Sequence, residues 1–171
     1  AWEELKIPAA SVGINVMAQS DEFFKNTSGF GNYETTLNTY ARGVEFSNRT
    51  KPFMDAFIKE MGQTPTYNAG TYDALYILKG AIERAGSLNQ AKIVTELEKT
   101  DYNGTAGHFA FDASHDVKWG PGFVTAVGVQ WQNGELKGIW PPADGSWYGV
   151  KYTGIVDYKL PPWVTEYWTQ H

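Results

Sequence analysis

Histidine, aspartate and serine are the side chains that could move protons or attack a substrate in this chain, and the sequence around each argues against that chemistry. Asp112, His115 and Asp116 are close enough to form an acid–base pair or part of a metal site. The same run, Asp-Ala-Ser-His-Asp, is rich in side chains that bond their own backbone, and we read it as a polar β-turn. His108, between Gly107 and Phe109, reads as a residue on an exposed strand face. Ser146, in Asp144-Gly-Ser-Trp147, lacks the Gly-x-Ser-x-Gly pattern of a nucleophile elbow. No His-Glu-x-x-His motif is present, and the absence of cysteine removes thiolate chemistry and disulfides. Gly120-Pro-Gly122 precedes a strand pattern, where a phosphate-cradling loop needs a helix. The expected catalytic residues, metal ligands and cofactors are none. Three glycosylation patterns, starting at Asn26, Asn48 and Asn103, are too short to carry weight.

The elements that would position a site are easier to read. Ala9–Asn15 is a small apolar run and an expected buried strand. Gln19–Lys25 reads as a short helix, with Ser20-Asp21-Glu22 suited to its start. Asn26–Asn32 is a loop, and Tyr33–Tyr40 alternates as an extended strand. Phe53, Met54, Phe57, Ile58 and Met61 recur at helical spacing between Pro52 and Gly62. Pro65–Gly86 is expected to be one long helix with two apolar stripes, Tyr72/Leu75/Tyr76/Ile82 and Ala74/Leu78/Ala81/Ala85, wedged between layers. Ser87-Leu-Asn-Gln90 fits a capping box opening a further helix. Phe123–Trp131 and Glu135–Trp140 are strands about a Gln132-Asn133-Gly134 hairpin turn. Pro141–His171 is rich in Trp and Tyr and is expected to wrap, extended, over something else.

Composition narrows the class. The 171 residues suit one domain or a piece of a larger assembly, and a net charge of −5 argues against a nucleic-acid partner. No apolar run approaches the roughly 20 residues that span a bilayer. The opening Ala-Trp-Glu-Glu-Leu-Lys-Ile-Pro reads as the end of a helix running into a strand, as in a fragment or mature piece.

The order of parts is more specific than any single motif. Gly13-Ile-Asn15, Pro52-Phe-Met-Asp-Ala-Phe-Ile-Lys59, Ala69-Gly-Thr-Tyr-Asp-Ala-Leu-Tyr76, Ala81-Ile-Glu-Arg-Ala-Gly86, Tyr102-Asn-Gly-Thr-Ala-Gly107, Phe109-Ala-Phe-Asp112 and Val127–Gly134 follow one another. This series, over about residues 5–140, resembles the C-terminal half of ABC transporter solute-binding proteins of the branched-chain amino acid type, with the α/β type I periplasmic binding fold. The resemblance implies two lobes joined by three crossing segments, with ligand held between them and no bond chemistry. Residues 1–40 would belong to the second lobe and a crossing strand, and 41–120 to the first lobe. Residues 121–140 would be a crossing segment and second-lobe hairpin, and 141–171 an extended tail. The N-terminal portion that completes both lobes would be absent here. Thr39, Tyr40, Pro121 and Gly122 are the implied hinge. Asn15 matches the position where amino-acid-binding relatives offer a carboxylate to the ligand ammonium, and an amide cannot supply that charge-assisted bond. Tyr67 and Tyr72 are the expected aromatic wall of the cleft, with Met17 and Tyr33 as further ligand contacts. The implied partners are a small-molecule solute, ABC permease subunits and the absent portion of the protein, in the periplasm or another extracytoplasmic space. A carbohydrate-binding or adhesion module of mainly β structure is the alternative from the aromatic tail, and a hydrolase using His115 and Asp116 a more distant one.

Overall fold

The computed structural model describes residues 2–171. Ala1, where the expected helix end begins, lies outside them. The helices are α1 (Phe23–Asn26), α2 (Thr50–Met61), α3 (Thr71–Ala85), α4 (Gln90–Leu97) and α5 (Pro162–Gln170), and the strands β1 (Thr35–Asn38), β2 (Tyr102–Gly104), β3 (Gly107–Phe109), β4 (Val127–Gln132) and β5 (Glu135–Trp140); three helices follow β1, and four strands follow them before α5. With five helices, the chain is not the mainly β module held as the alternative.

One antiparallel sheet has the order β1-β4-β5, and β2 and β3 make a separate hairpin. The β4–β5 turn is the expected one: Asn133 and Gly134 both take positive φ, 54° and 78°, as a two-residue hairpin of this hand requires. Val127, Val129 and Trp131 on one face of β4 pack with Ala18, Ala41, Val44 and Leu136. A second cluster gathers Tyr40, Phe53, Met54, Ala69 and Ala106 between α2, the start of α3 and the β2–β3 turn. Phe46 packs against both clusters. Its ring meets Tyr40 at 6.3 Å and Tyr152 at 4.9 Å, both edge-on.

Several expectations are corrected. Ala9–Asn15 is not a buried strand. It touches the sheet edge through a single parallel bridge from Val12 to Thr35, and Val12 and Ile14 are 70% and 79% exposed because nothing packs on that edge. The 19–25 helix is split into a 3₁₀ turn, Met17–Gln19, and the single turn α1. The long helix is shorter than expected: a 3₁₀ turn, Tyr67–Gly70, precedes α3, and Gly86 ends it in the left-handed region. Neither apolar stripe of α3 is the buried face. Asp73, Ile77 and Ala81 face inward, four residues apart, while Leu75, Tyr76 and Leu78 are exposed. The capping box is displaced by two residues: Asn89, not Ser87, accepts the Lys92 N–H at 3.2 Å and opens α4.

The tail is not extended to its end. Pro162 sits in the first turn of α5, where its fixed φ and missing N–H favour a helix start. The preceding stretch is held by two buried glutamines of β4. Gln130 donates to the Lys159 carbonyl and accepts from the Lys159 N–H, both at 2.9 Å, imitating a strand bridge with a side chain. Gln132 donates to the Asp157 carbonyl at 2.9 Å. Beyond it, the indole N–H groups of Trp163 and Trp168 donate to the Ile7 and Pro8 carbonyls, both at 3.0 Å. The tail therefore covers the second face of β4 and fastens onto the first residues of the chain.

Candidate functional site

The entrance of α3 is fixed by a buried carboxylate. Asp73, fully enclosed in the first turn, accepts from the Thr105 N–H at 2.8 and 2.9 Å, the Thr105 hydroxyl at 2.8 Å and the Ala106 N–H at 3.2 Å. Since Thr105 spends its one hydroxyl proton on Asp73, the Tyr40 hydroxyl 2.7 Å away must donate to Thr105. Burial pushes the Tyr40 hydroxyl up to about 12; the nearby Asp73 charge acts the same way, and the Thr105 bond opposes both. Tyr40 is thus a neutral donor at ordinary pH. Thr50 and Ser47 add hydroxyl bonds to the Thr105 and Gly104 carbonyls, each 2.7 Å. The 104–107 turn is held from α2, from α3 and from the Tyr40 segment at once.

Tyr67 and Tyr72 flank the 3₁₀ turn that this anchor fixes. Tyr67 is 64% exposed. Tyr72 is half-covered, packed on Phe53 at 4.7 Å and Tyr76 at 5.0 Å, and it lines a groove of about 520 Å³ with Pro52, Phe53 and Phe57. Asn15 and Met17 lie together on another segment. The Asn15 N–H donates to the Thr36 hydroxyl at 2.9 Å, its side-chain NH₂ donates to Glu34 at 2.8 Å, and its side-chain oxygen Oδ1 accepts from the Ala18 N–H at 3.3 Å. Asn15 therefore caps the Met17–Gln19 turn, and its neighbour Glu34 is also bonded by the Ser11 hydroxyl. Met17 is exposed. Tyr33 stands apart from the others: its ring meets Trp163 of the tail edge-on at 5.5 Å. Among the described residues no hydrogen bond or ring contact joins the Asn15–Met17 segment to Tyr67 or Tyr72.

Of the hinge positions, the Tyr40 hydroxyl is bonded into the Asp73 chain at 2.7 Å, and the Thr39 N–H donates to the Asn38 side chain at 2.8 Å. Pro121 and Gly122 are exposed, and Gly122 takes φ 83°. The Gly122 carbonyl lies 3.1 Å from His108 Nδ1, whose Nε2 is 2.6 Å from Asp101. The 112–116 segment is the expected polar turn: Asp112 accepts from the Ser114 and Asp116 N–H groups at 2.8 and 3.1 Å. Among the described residues no cluster of three or more His, Asp or Glu could hold a metal, and no helix is long and apolar enough to cross a membrane. Sequence reasoning missed Asp73. An acidic residue in a first helical turn ordinarily favours the dipole from the surface, and its partner lies 32 residues on.

A sequence profile described as periplasmic binding protein matches residues 5–134. The chain belongs to the periplasmic binding protein family. Two solved structures share both fold and appreciable sequence with this periplasmic binding protein. One is a leucine-binding protein from Thermotoga maritima, 27% identical, covering 69% of this chain and 33% of its own, with a TM-score of 0.58. The other is a branched-chain amino acid transporter substrate-binding protein from Streptococcus pneumoniae in complex with isoleucine, 26% identical, covering 68% and 32%, with a TM-score of 0.55. A solute-binding protein of an ABC transporter from R. palustris in complex with benzoate, 13% identical, covers 67% and 31% with a TM-score of 0.55 and shares the fold alone. No curated protein matches the chain. The chain spans about a third of the length of these solved structures.

Proposed function

We propose that this chain is the C-terminal part of the extracytoplasmic solute-binding component of an ABC importer. It captures a small polar or amphipathic solute between two lobes and hands it to permease subunits. The match over residues 5–134 carries the reading. The two core clusters supply the second support, since they are separate and share Phe46 as a neighbour, as lobes joined by crossing segments would. In this reading residues 1–40 and 121–140 serve the second lobe and 41–120 the first. Thr39, Tyr40, Pro121 and Gly122 carry the bend between them. The polypeptide that completes both lobes covers the exposed apolar side of α3.

Tyr67 and Tyr72 wall the cleft from the first lobe, with Asn15 and Met17 opposite. The Asn15 amide is uncharged and already bonded on both sides, and the neighbouring Glu34 carboxylate is taken up by Asn15 and Ser11, so position 15 itself offers a ligand ammonium no charge. An amide, a carboxylate or an aromatic acid is the favoured class. A thermal-shift screen of the intact protein with α-amino acids, amides and aromatic acids tests this, because a ligand of the folded form raises its midpoint. An amide or aromatic acid should raise it, and Tyr67→Ala should shrink that rise without moving the unliganded midpoint. Tight leucine or valine binding through Asn15 would refute the ligand class. No response to any class would refute the solute-binding reading.

A further inference from the structure

Asp21 ends the segment that carries Asn15 and Met17, beside the cluster around Trp131. Thr64 begins the segment that carries Tyr67 and Tyr72, beside the cluster around Phe53. These two residues, 43 apart in sequence, are bonded directly: Asp21 accepts from the Thr64 N–H at 2.7 Å and the Thr64 hydroxyl at 2.9 and 3.0 Å. Arg42 follows Tyr40 and Ala41, where the chain passes from one cluster to the other. Its Nη2 donates to Asp21 at 3.0 Å and its Nε to the Thr64 hydroxyl oxygen at 2.6 Å. The triangle is closed. Thr64 gives its single proton to the carboxylate and takes one from the guanidinium, so the bonds that close it pair acceptor with donor. Thr64 is buried, and the Asp21 side chain is 31% exposed.

The three residues line a cavity of about 480 Å³ with Trp131, Glu135 and Lys137. The Asp21 and Thr64 segments are joined there by the directional bonds of the triangle. Charge-assisted bonds of this length are stronger than neutral ones and tightly constrain geometry.

We propose that Asp21, Arg42 and Thr64 form an interlobe latch that sets the angle between the two bodies. The latch keeps the Asn15–Met17 and Tyr67–Tyr72 segments in fixed relation; that consequence for ligand capture rests on the solute-binding reading. Asp21 and Arg42 are positioning residues and touch no solute.

These 171 residues contain no cysteine, so labels can be placed within them at chosen positions. Spin labels at Lys25→Cys on α1 and Lys59→Cys on α2, both exposed, report the distance between the bodies by pulsed EPR with no solute present. The otherwise unaltered labelled protein should give one narrow distance. Asp21→Ala should lose it to a broad distribution. Asp21→Asn, which keeps an acceptor for the Thr64 N–H but no charge for Arg42, should fall between the two. An unchanged distribution in both variants overturns the latch. Loss of fold in both, by circular dichroism, also overturns it, because a latch is dispensable to the folding of each body. A separate screen with leucine, isoleucine and benzoate bears on the solute-binding reading alone: no binding there leaves an EPR-verified latch standing.

Discussion

Replacing Gly104 by alanine is the sharpest test of the Asp73 anchor. Gly104 has ordinary backbone torsions, so alanine costs nothing through φ, and the whole effect must come from contact. A Cβ placed there would lie 2.7 Å from Asp73 Cγ and 2.8 Å from each carboxylate oxygen. Ordinary carbon contacts start near 3.5 Å, so the carboxylate must retreat by most of an ångström. Asp73 cannot retreat and keep its Thr105 and Ala106 donors, which already sit at 2.8–3.2 Å. Each hydrogen bond to a charged group contributes about 1.5–3 kcal/mol, and breaking a buried charged cluster outright costs about 3–5 kcal/mol. Gly104→Ala should therefore destabilise by about 2–4 kcal/mol, since one or two of three donors are lost. Urea denaturation followed by tryptophan fluorescence reads this as a lower midpoint at constant slope. The decisive comparison is a double-mutant cycle with Asp73→Ala. If the collision with Asp73 is the cause, alanine at 104 costs far less once the carboxylate is gone. A cost below about 1 kcal/mol in the parent, within the usual range for an uneventful substitution, or equal costs in both backgrounds, would refute the reasoning.

Two further outcomes follow from the same bonds. Gln130→Leu keeps bulk but strands the Lys159 N–H and carbonyl, so the tail should open about tenfold more readily or beyond, the equivalent of one lost bond pair of about 1–3 kcal/mol; faster tryptic cleavage after Lys159, with the rest of the chain intact, checks it. Acid should weaken the protein through Asp21: burial pushes its carboxyl up, but the bonds from Thr64 and the Arg42 charge outweigh that and hold it below its ordinary value. A carboxyl depressed on folding stabilises above its unfolded pKa and loses that contribution as pH falls through the folded one. The melting midpoint should therefore drop below about pH 4, and that drop should shrink in Asp21→Asn.

The legible part of the fold was the part written in local chemistry. Gly62 and Gly86 stop α2 and α3 as expected, and Asn133-Gly134 makes the hairpin its turn residues demand. The illegible part depends on partners far along the chain. Gln130 and Gln132 look like the solvated face of an alternating strand, yet they are buried because residues 157–159 lie across them. Asp73 looks like a surface acid between apolar helix residues, and only the β2–β3 turn makes it an anchor. The expected cleft residues divide in the same way. Tyr67 opens the 3₁₀ turn before α3 and Tyr72 lies in its first turn. Tyr33 was claimed by Trp163, an aromatic from a tail whose course no local pattern announced.

Phe46 has a consequence for recombining such proteins. The buried residues of each cluster are grouped with that cluster alone, so a lobe interior borrowed from a relative could be repacked on its own terms. Phe46 packs on both, meeting Tyr40 of one and Tyr152 beside the other. A chimera that joins one lobe of this chain to another protein's second lobe should therefore fail or succeed at this residue first, and the choice of crossover point matters less than which parent supplies position 46.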